Sequence, residues 1–398
     1  MNYKISDKMI NIKPSAIREI FKSLSDPEVI SLGAGNPSPD AFPVEQISEL
    51  SQIIYEKMPV LALQYSVTEG YAPLIEKINL RLKNKFNINN ENKSDVTLIT
   101  TGGQQGIDLA CKIMCNEDDV VICEKPSFIG ALNAFKANGA IPVQVDMEPD
   151  GICIEKLEKA LVEHKNAKII YLIPTFHNPL GTTMSLEKRK AVLDLAKKYE
   201  IIILEDNPYG ELRFRGEDIP TIKSLDKDGF TVYCSTFSKI ISPAIRVGFV
   251  TAPQEIASKI VVAKQVNDVH TNMYFQIICD LFLEKFNIDE HIGKIRVLYK
   301  NKCNLMLNEM RKKFDNLNIK YTSPDGGLFL WCTLPENIDL TEFVRASLAK
   351  KVAVVPGSTF LANESEVSHS FRVNFSYPSE EQIIKGVDVL SEVAGELR

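Results

Sequence analysis

Lys239 closes the run Ser235-Thr236-Phe237-Ser238-Lys239, directly behind an apolar stretch, and Arg246 follows seven residues on. A lysine at the end of a buried strand is desolvated. That lowers its pKa and leaves more of the neutral, nucleophilic amine. Neighbouring hydroxyls and a guanidinium suit a phosphate, which arginine grips with two parallel hydrogen bonds. The segment alone fits a surface lysine equally well. A second group is Leu204-Glu205-Asp206-Asn207-Pro208-Tyr209, again behind an apolar run. Asp206 there could keep a ring nitrogen protonated, and Tyr209 could donate to a ring oxygen. An aspartate at such a turn is also a common helix cap. In Pro174-Thr175-Phe176-His177-Asn178-Pro179-Leu180-Gly181, Asn178 offers an amide from a constrained turn. His177 beside it reads as a solvated loop histidine without a role. Thr100-Thr101-Gly102-Gly103-Gln104-Gln105-Gly106 joins a strand to a helix, where free amides attract phosphate. This glycine run is neither a dinucleotide fingerprint nor a P-loop.

These segments share a setting. Apolar, β-branched runs stand at Val96–Thr100, Val120–Cys123, Ile141–Val145, Ile169–Ile173, Ile201–Leu204, Thr231–Cys234 and Val247–Thr251. Continuous apolar strands suit a sheet covered on both faces. Helical patterns lie between them. Gln104–Cys115 puts Ile107, Ala110, Ile113 and Met114 on one face, and Ser185 caps a helix running to Tyr199. The alternation predicts an α/β fold with a mostly parallel seven-stranded sheet between helices, over residues 46–285. Residues 286–398 read as a smaller α+β domain. It has a long helix at Ile292–Phe314, strands at Gly326–Thr333 and Phe371–Phe375, and a closing helix at Ser379–Leu397 with a Ser379/Gln382 capping box. Residues 1–45 are expected to pack with that smaller domain. Ligands of such folds sit beyond the carboxyl ends of the parallel strands.

The chain has 398 residues, 46 lysines and arginines and 52 acidic residues, a net charge of −6. An acidic balance argues against nucleic acid as a partner. No apolar run approaches the ~20 residues of a membrane helix, and the N-terminus lacks a signal-peptide core. A cytoplasmic location is expected. Eight cysteines without a CxxC pair read as small buried hydrophobes in a reducing compartment. Five histidines show no ligand spacing, so no metal is expected.

Taken together, the segments SLGAGNPSPDAFP, LQYSVTEGYAPL, TTGGQQGIDL, PTFHNPLGTTMS, ILEDNPYGEL, STFSKIISPAIRVGF and FRVNFSY resemble the class I/II aminotransferases of fold type I. These enzymes depend on pyridoxal 5′-phosphate (PLP). The resemblance runs from about Ser31 to Leu397. Within the class the chain looks most like the 2-aminoadipate and kynurenine aminotransferase subgroup. The resemblance implies that Lys239 bonds covalently to PLP and that Asp206 holds the pyridine nitrogen protonated. It implies that Asn178 and Tyr209 bond the ring 3-oxygen, and that Gly103, Gln104, Thr236, Ser238 and Arg246 cradle the phosphate. Phe128 would stack on the ring, where the family often has tyrosine. Tyr65 would reach the phosphate of a neighbouring subunit, which implies a homodimer with shared sites. Arg372 would fork the substrate α-carboxylate, and Gly35 would lie beside the substrate. Arg18, in Lys13-Pro14-Ser15-Ala16-Ile17-Arg18, would meet a distal carboxylate. Two departures concern affinity alone: Gly103 replaces a serine or alanine, and Ala244 stands for the glycine of a PGLR-like turn.

The implied reaction moves an amino group from an L-amino acid (glutamate, 2-aminoadipate, aromatic or other neutral) to a 2-oxo acid such as 2-oxoglutarate, in ping-pong fashion. The alternatives are a β-lyase or decarboxylase on the same fold, or a PLP-binding transcription regulator. The last needs a DNA-binding domain, for which the residues before Ser31 leave no room.

Overall fold

The structure is a computed structural model, described over residues 3–10, 12, 26, 28–88, 95–363 and 365–398. A two-residue strand, β1 (Ile30–Ser31), precedes the large sheet. That sheet holds β2 (Asp95–Thr100), β3 (Val120–Lys125), β4 (Ile141–Glu148), β5 (Gly151–Ile152), β6 (Ala167–Leu172), β7 (Ile202–Asp206), β8 (Thr231–Thr236) and β9 (Gly248–Pro253). Its order is β2-β9-β8-β7-β6-β3-β4-β5. All seven expected strands form. The eighth, β5, is a two-residue hairpin return of β4, too short for an apolar run to mark it. β9 runs antiparallel to both β2 and β8, while β8, β7, β6, β3 and β4 run parallel.

Side chains alternate between two apolar layers, as the pleat requires. In β6, Ile169 and Tyr171 join the layer of Cys123, Leu204 and Cys234. Ile170 and Leu172 join that of Ile122 and Ile203. Burial on both faces explains why these strands lack polar alternation. The Gly103–Met114 helix lies on the first of these faces. It starts at Gly103, one residue before the expected Gln104.

A second sheet has the order β10-β11-β14-β13, from β10 (Lys320–Tyr321), β11 (Phe329–Thr333), β13 (Val355–Pro356) and β14 (Ser370–Asn374). β11 begins at Phe329 because Gly326 and Gly327 turn the chain first, Gly327 with φ +70°. β12 (Val352–Ala353) pairs in parallel with β1. The long helix spans Ile288–Lys313, four residues further back than Ile292, because Asn287 caps it and accepts from the Asp289 and Glu290 amides. The closing helix, Glu380–Glu396, opens on the expected reciprocal Ser379/Gln382 cap. All eight cysteines are free. Among the described residues no helix is long and apolar enough to cross a membrane.

Gly106 tests how closely the first helix approaches the sheet. A Cβ there would lie 2.7 Å from both Cys234 Sγ and Val250 Cγ2. Gly106→Ala gains about 1 kcal/mol of helix propensity. It forces overlap costing about 1–3 kcal/mol. Thermal unfolding of the apoprotein should show net destabilisation. A melting temperature equal to or above that of the parent would mean the helix stands further off.

Candidate active site

Strand order brings five loop segments to one edge. The carboxyl ends of β2, β3, β6, β7 and β8 deliver Gly103, Phe128, Asn178, Asp206 and Lys239, and the antiparallel β9 receives Arg246 just before it starts. They line a cavity of about 310 Å³, within the usual size of a small-molecule site. Gln104, Tyr209, Thr236, Ser238, Gly35 and Arg372 line it too. Among the described residues, one expected site residue does not: Tyr65 is 82% exposed, with its ring edge-on to His270. Arg18 lies outside the described residues.

Lys239 sits in a single 3-10 turn, Phe237–Lys239, that Thr236 opens by accepting from the Ser238 amide. Its Nζ donates to Gly35 O at 3.1 Å. Burial, then the charges of Arg372 and Arg246, lower its pKa to about 8. Near neutral pH the neutral amine is therefore a minor species, roughly a tenth of molecules, yet far more abundant than for a solvated lysine.

Asp206 ends β7 and is 4% exposed. Burial raises its pKa to about 7; a hydrogen bond from Tyr171 opposes this and the charge of Glu124 adds to it. Tyr171 Oη donates to Asp206 Oδ2 at 2.7 Å. Tyr209 is buried, which pushes its pKa up, and its ring meets Phe329 edge-on at 5.8 Å.

Arg372 stands in mid-strand on β14, opposite Trp331 and Val355, and is 1% exposed. One Nη donates to Asn178 Oδ1 at 2.7 Å and the other to Gly33 O at 2.8 Å. Phe329 and Phe360 flank the guanidinium, at 4.1 and 5.0 Å from their ring centroids. Burial lowers its pKa to about 10, so it stays charged. Its Nε has no hydrogen-bond partner among the described residues.

The phosphate-like end is built from different parts. The Gly103–Met114 helix begins without a side-chain cap, behind Gly102 at φ +76°. A Cβ on Gly102 would run into the Arg246 guanidinium. Thr236 and Ser238 hydroxyls lie 2.8 Å apart. Arg246 itself adopts a left-handed backbone, φ 52°, and reaches Thr101 O at 3.2 Å. Strain of this kind collects at functional sites.

His177 is not solvated as the sequence led us to expect. It is 1% exposed, with Nε2 at 3.1 Å from the buried Glu124 carboxylate; that carboxylate accepts from the Ile173 amide at 2.8 Å. Phase alone could not reveal this, because Glu124 arrives from β3, which two helices and three strands separate from the loop in sequence. Tyr171 was also missed. Its signal was present: a hydroxyl in phase with Ile169 on an apolar strand must find a partner.

The chain matches the family model for aminotransferases of class I and II over residues 27–390. It is 40% identical over 395 residues to aromatic-amino-acid aminotransferase 1 of Thermococcus litoralis, covering 98% of this chain and 94% of that one. The multiple substrate aminotransferase of Thermococcus profundus superimposes with a TM-score of 0.93 at 36% identity, covering 99% and 98% of the two chains. The α-aminoadipate aminotransferase of Thermus thermophilus, complexed with N-(5′-phosphopyridoxyl)-L-leucine, superimposes with a TM-score of 0.89 at 32% identity, covering 99% and 97%.

This chain belongs to the class I and II aminotransferases. It is a PLP-dependent enzyme of fold type I that transfers an amino group between an amino acid and a 2-oxo acid. The cavity suits that cofactor on its own evidence. One cavity is lined by a buried carboxyl whose pKa is raised to about 7, an amine whose pKa is lowered to about 8, two adjoining hydroxyls and the start of a helix without a side-chain cap.

One measurement tests the burial argument. In the apoenzyme, amine-selective labelling of Lys239 should rise with a midpoint near pH 8, while surface lysines follow at about pH 10 or above. Burial disfavours the cation, so the midpoint must move down. A midpoint with the surface lysines would contradict it.

Proposed function

We propose that Lys239 is the covalent anchor and proton carrier, that Asp206 holds the ring nitrogen, and that Arg372 holds the substrate α-carboxylate. The observation that carries this reading is convergence: twelve of the fourteen expected site residues, from separate loops and two sheets, line one cavity. When bound, PLP supplies a carbon that takes the amino group and a cationic ring that accepts the electron pair left on Cα. Lys239 Nζ, about half neutral near pH 8, takes the Cα proton and holds it for return. Asp206 as a carboxylate keeps the ring nitrogen charged. Asn178 and Tyr209 orient the ring oxygen, and Phe128 packs on its face. Arg246, the two hydroxyls and the Gly103 and Gln104 amides hold the phosphate. The same groups serve both halves of a ping-pong cycle.

A homodimer with shared sites belongs to this reading. Val60, Leu63, Tyr65, Val67, Val266 and Val269 are large apolar side chains left exposed. Tyr65 has no place in its own cavity, which supports a role in a second subunit's site. The division at residues 45 and 285 is kept as well, supported by the pairing of β1 with β12 rather than with the large sheet.

The substrate reading is dual. Dicarboxylic donors such as glutamate or 2-aminoadipate would engage Arg18, aromatic and other neutral donors would displace it, and 2-oxoglutarate would be the acceptor. The names of the relatives, aromatic, multiple-substrate and aminoadipate, support that breadth.

A panel of donors against 2-oxoglutarate tests it. Each productive donor should bleach the yellow holoenzyme in a single half-reaction, and Lys239→Ala should abolish turnover. Arg18→Ala should raise KM for dicarboxylic donors and leave neutral ones nearly unchanged. Equal losses for both classes would make Arg18 structural. Release of carbon dioxide or of a side-chain fragment would instead indicate a decarboxylase or lyase.

A further inference from the structure

Tyr171 lies outside every motif of the site, yet its hydroxyl is the group bonded to the Asp206 carboxylate. We propose that Tyr171 is a positioning residue: its hydroxyl fixes Asp206 in the orientation and ionised state that keep the cofactor's ring nitrogen protonated. The inference rests on the assignment of Asp206 made above.

The sheet register sets up the contact. Tyr171 pairs with Leu204 across β6 and β7, so Tyr171 and Asp206, two residues beyond Leu204, share a face at the strand ends. Phe135 holds the Tyr171 ring edge-on at 5.3 Å, and the ring is fully buried. The 2.7 Å bond occupies Oδ2 and prevents the carboxyl from turning freely, which leaves Oδ1 for a second donor.

The charge balance is the second part. Asp206 is faced by Tyr171 from β6, by Glu124 from β3, by Cys234 from β8 and by Tyr209 from its own turn. Burial and the Glu124 charge both favour a protonated Asp206, while the Tyr171 hydroxyl favours the carboxylate. Glu124 lies against His177 on the other side. Without the hydroxyl, the proton shared by ring and carboxyl shifts to the carboxyl. A neutral acid no longer sustains the ring charge, and the electron sink weakens.

Tyr171→Phe removes one oxygen and keeps the packing on Phe135. In the holoenzyme kcat should fall about 10- to 100-fold, the loss of one charge-assisted bond, while KM for the donor stays within about twofold. The pH midpoint of the bound cofactor's visible band should move up, because a ring that has lost positive charge repels the nearby proton less. A merely structural tyrosine would lower the melting temperature and leave kcat and the midpoint alone; that result overturns the proposal. Should Tyr171→Phe fail to fold, Glu124→Gln reads the same balance from the other side. Its midpoint should move down, and an unmoved or raised midpoint contradicts the proposal. Asp206→Ala separates the two levels. If it stays active, the assignment of Asp206 falls. If it loses about 10³-fold or more in rate and Tyr171→Phe matches the parent, only the role of Tyr171 falls.

Discussion

An amine, a carboxyl and a guanidinium share one buried cavity, and the rest of the structure serves to keep them there. Lys239, Asp206 and Arg372 each lose hydration, and burial is the largest cause of the shifted pKa in all three. Charged groups out of water are costly unless paired. Here the direct neutralising contacts are weak ones: a backbone carbonyl for Lys239, a phenol for Asp206, and a carbonyl, an amide and two aromatic faces for Arg372. Such a site is poised for a ligand that brings the missing charges. A cationic ring nitrogen, a phosphate and a substrate carboxylate would complement Asp206, Arg246 and Arg372 in turn.

The segment Gly33–Ser38 ties the two sheets to this site. Arg372 donates to Gly33 O, Lys239 to Gly35 O, Ser376 to Asn36 O and the buried Lys302 to Ser38 Oγ. Lys239 belongs to the large sheet, whereas Arg372 and Ser376 follow the small one. A Cβ on Gly35 would come within 3.2 Å of the Phe329 ring, so backbone at this point passes close to the aromatic wall. The loop thus holds Lys239 and Arg372, one at the end of the large sheet and one on the small, against the same short backbone segment.

Much of this was readable in the sequence because strand ends announce themselves. Asp206, Lys239 and Asn178 each follow an apolar run, and the parallel order then forces them to one edge. The strand that holds Arg372 was legible, but its place in the site came only through family resemblance, since nothing in FRVNFSY says which residue turns toward a ligand. The hidden parts are contacts between strands distant in sequence. Phe360 against Arg372, Tyr171 against Asp206 and Glu124 against His177 depend on register, which no local pattern encodes. The assignment of His177 to solvent failed for that reason: its partner is 53 residues away. β5 escaped because two residues carry no period, and the start of the long helix was set by the Asn287 cap rather than by its first apolar residue.

The central claim is that burial at the end of β8 makes Lys239, among all the lysines of the chain, the one that bonds the cofactor. Borohydride reduction of the holoenzyme followed by peptide mapping addresses it directly. The pyridoxyl group should appear on the peptide containing Ser238-Lys239-Ile240 and on no other. Attachment to a different lysine would contradict the account.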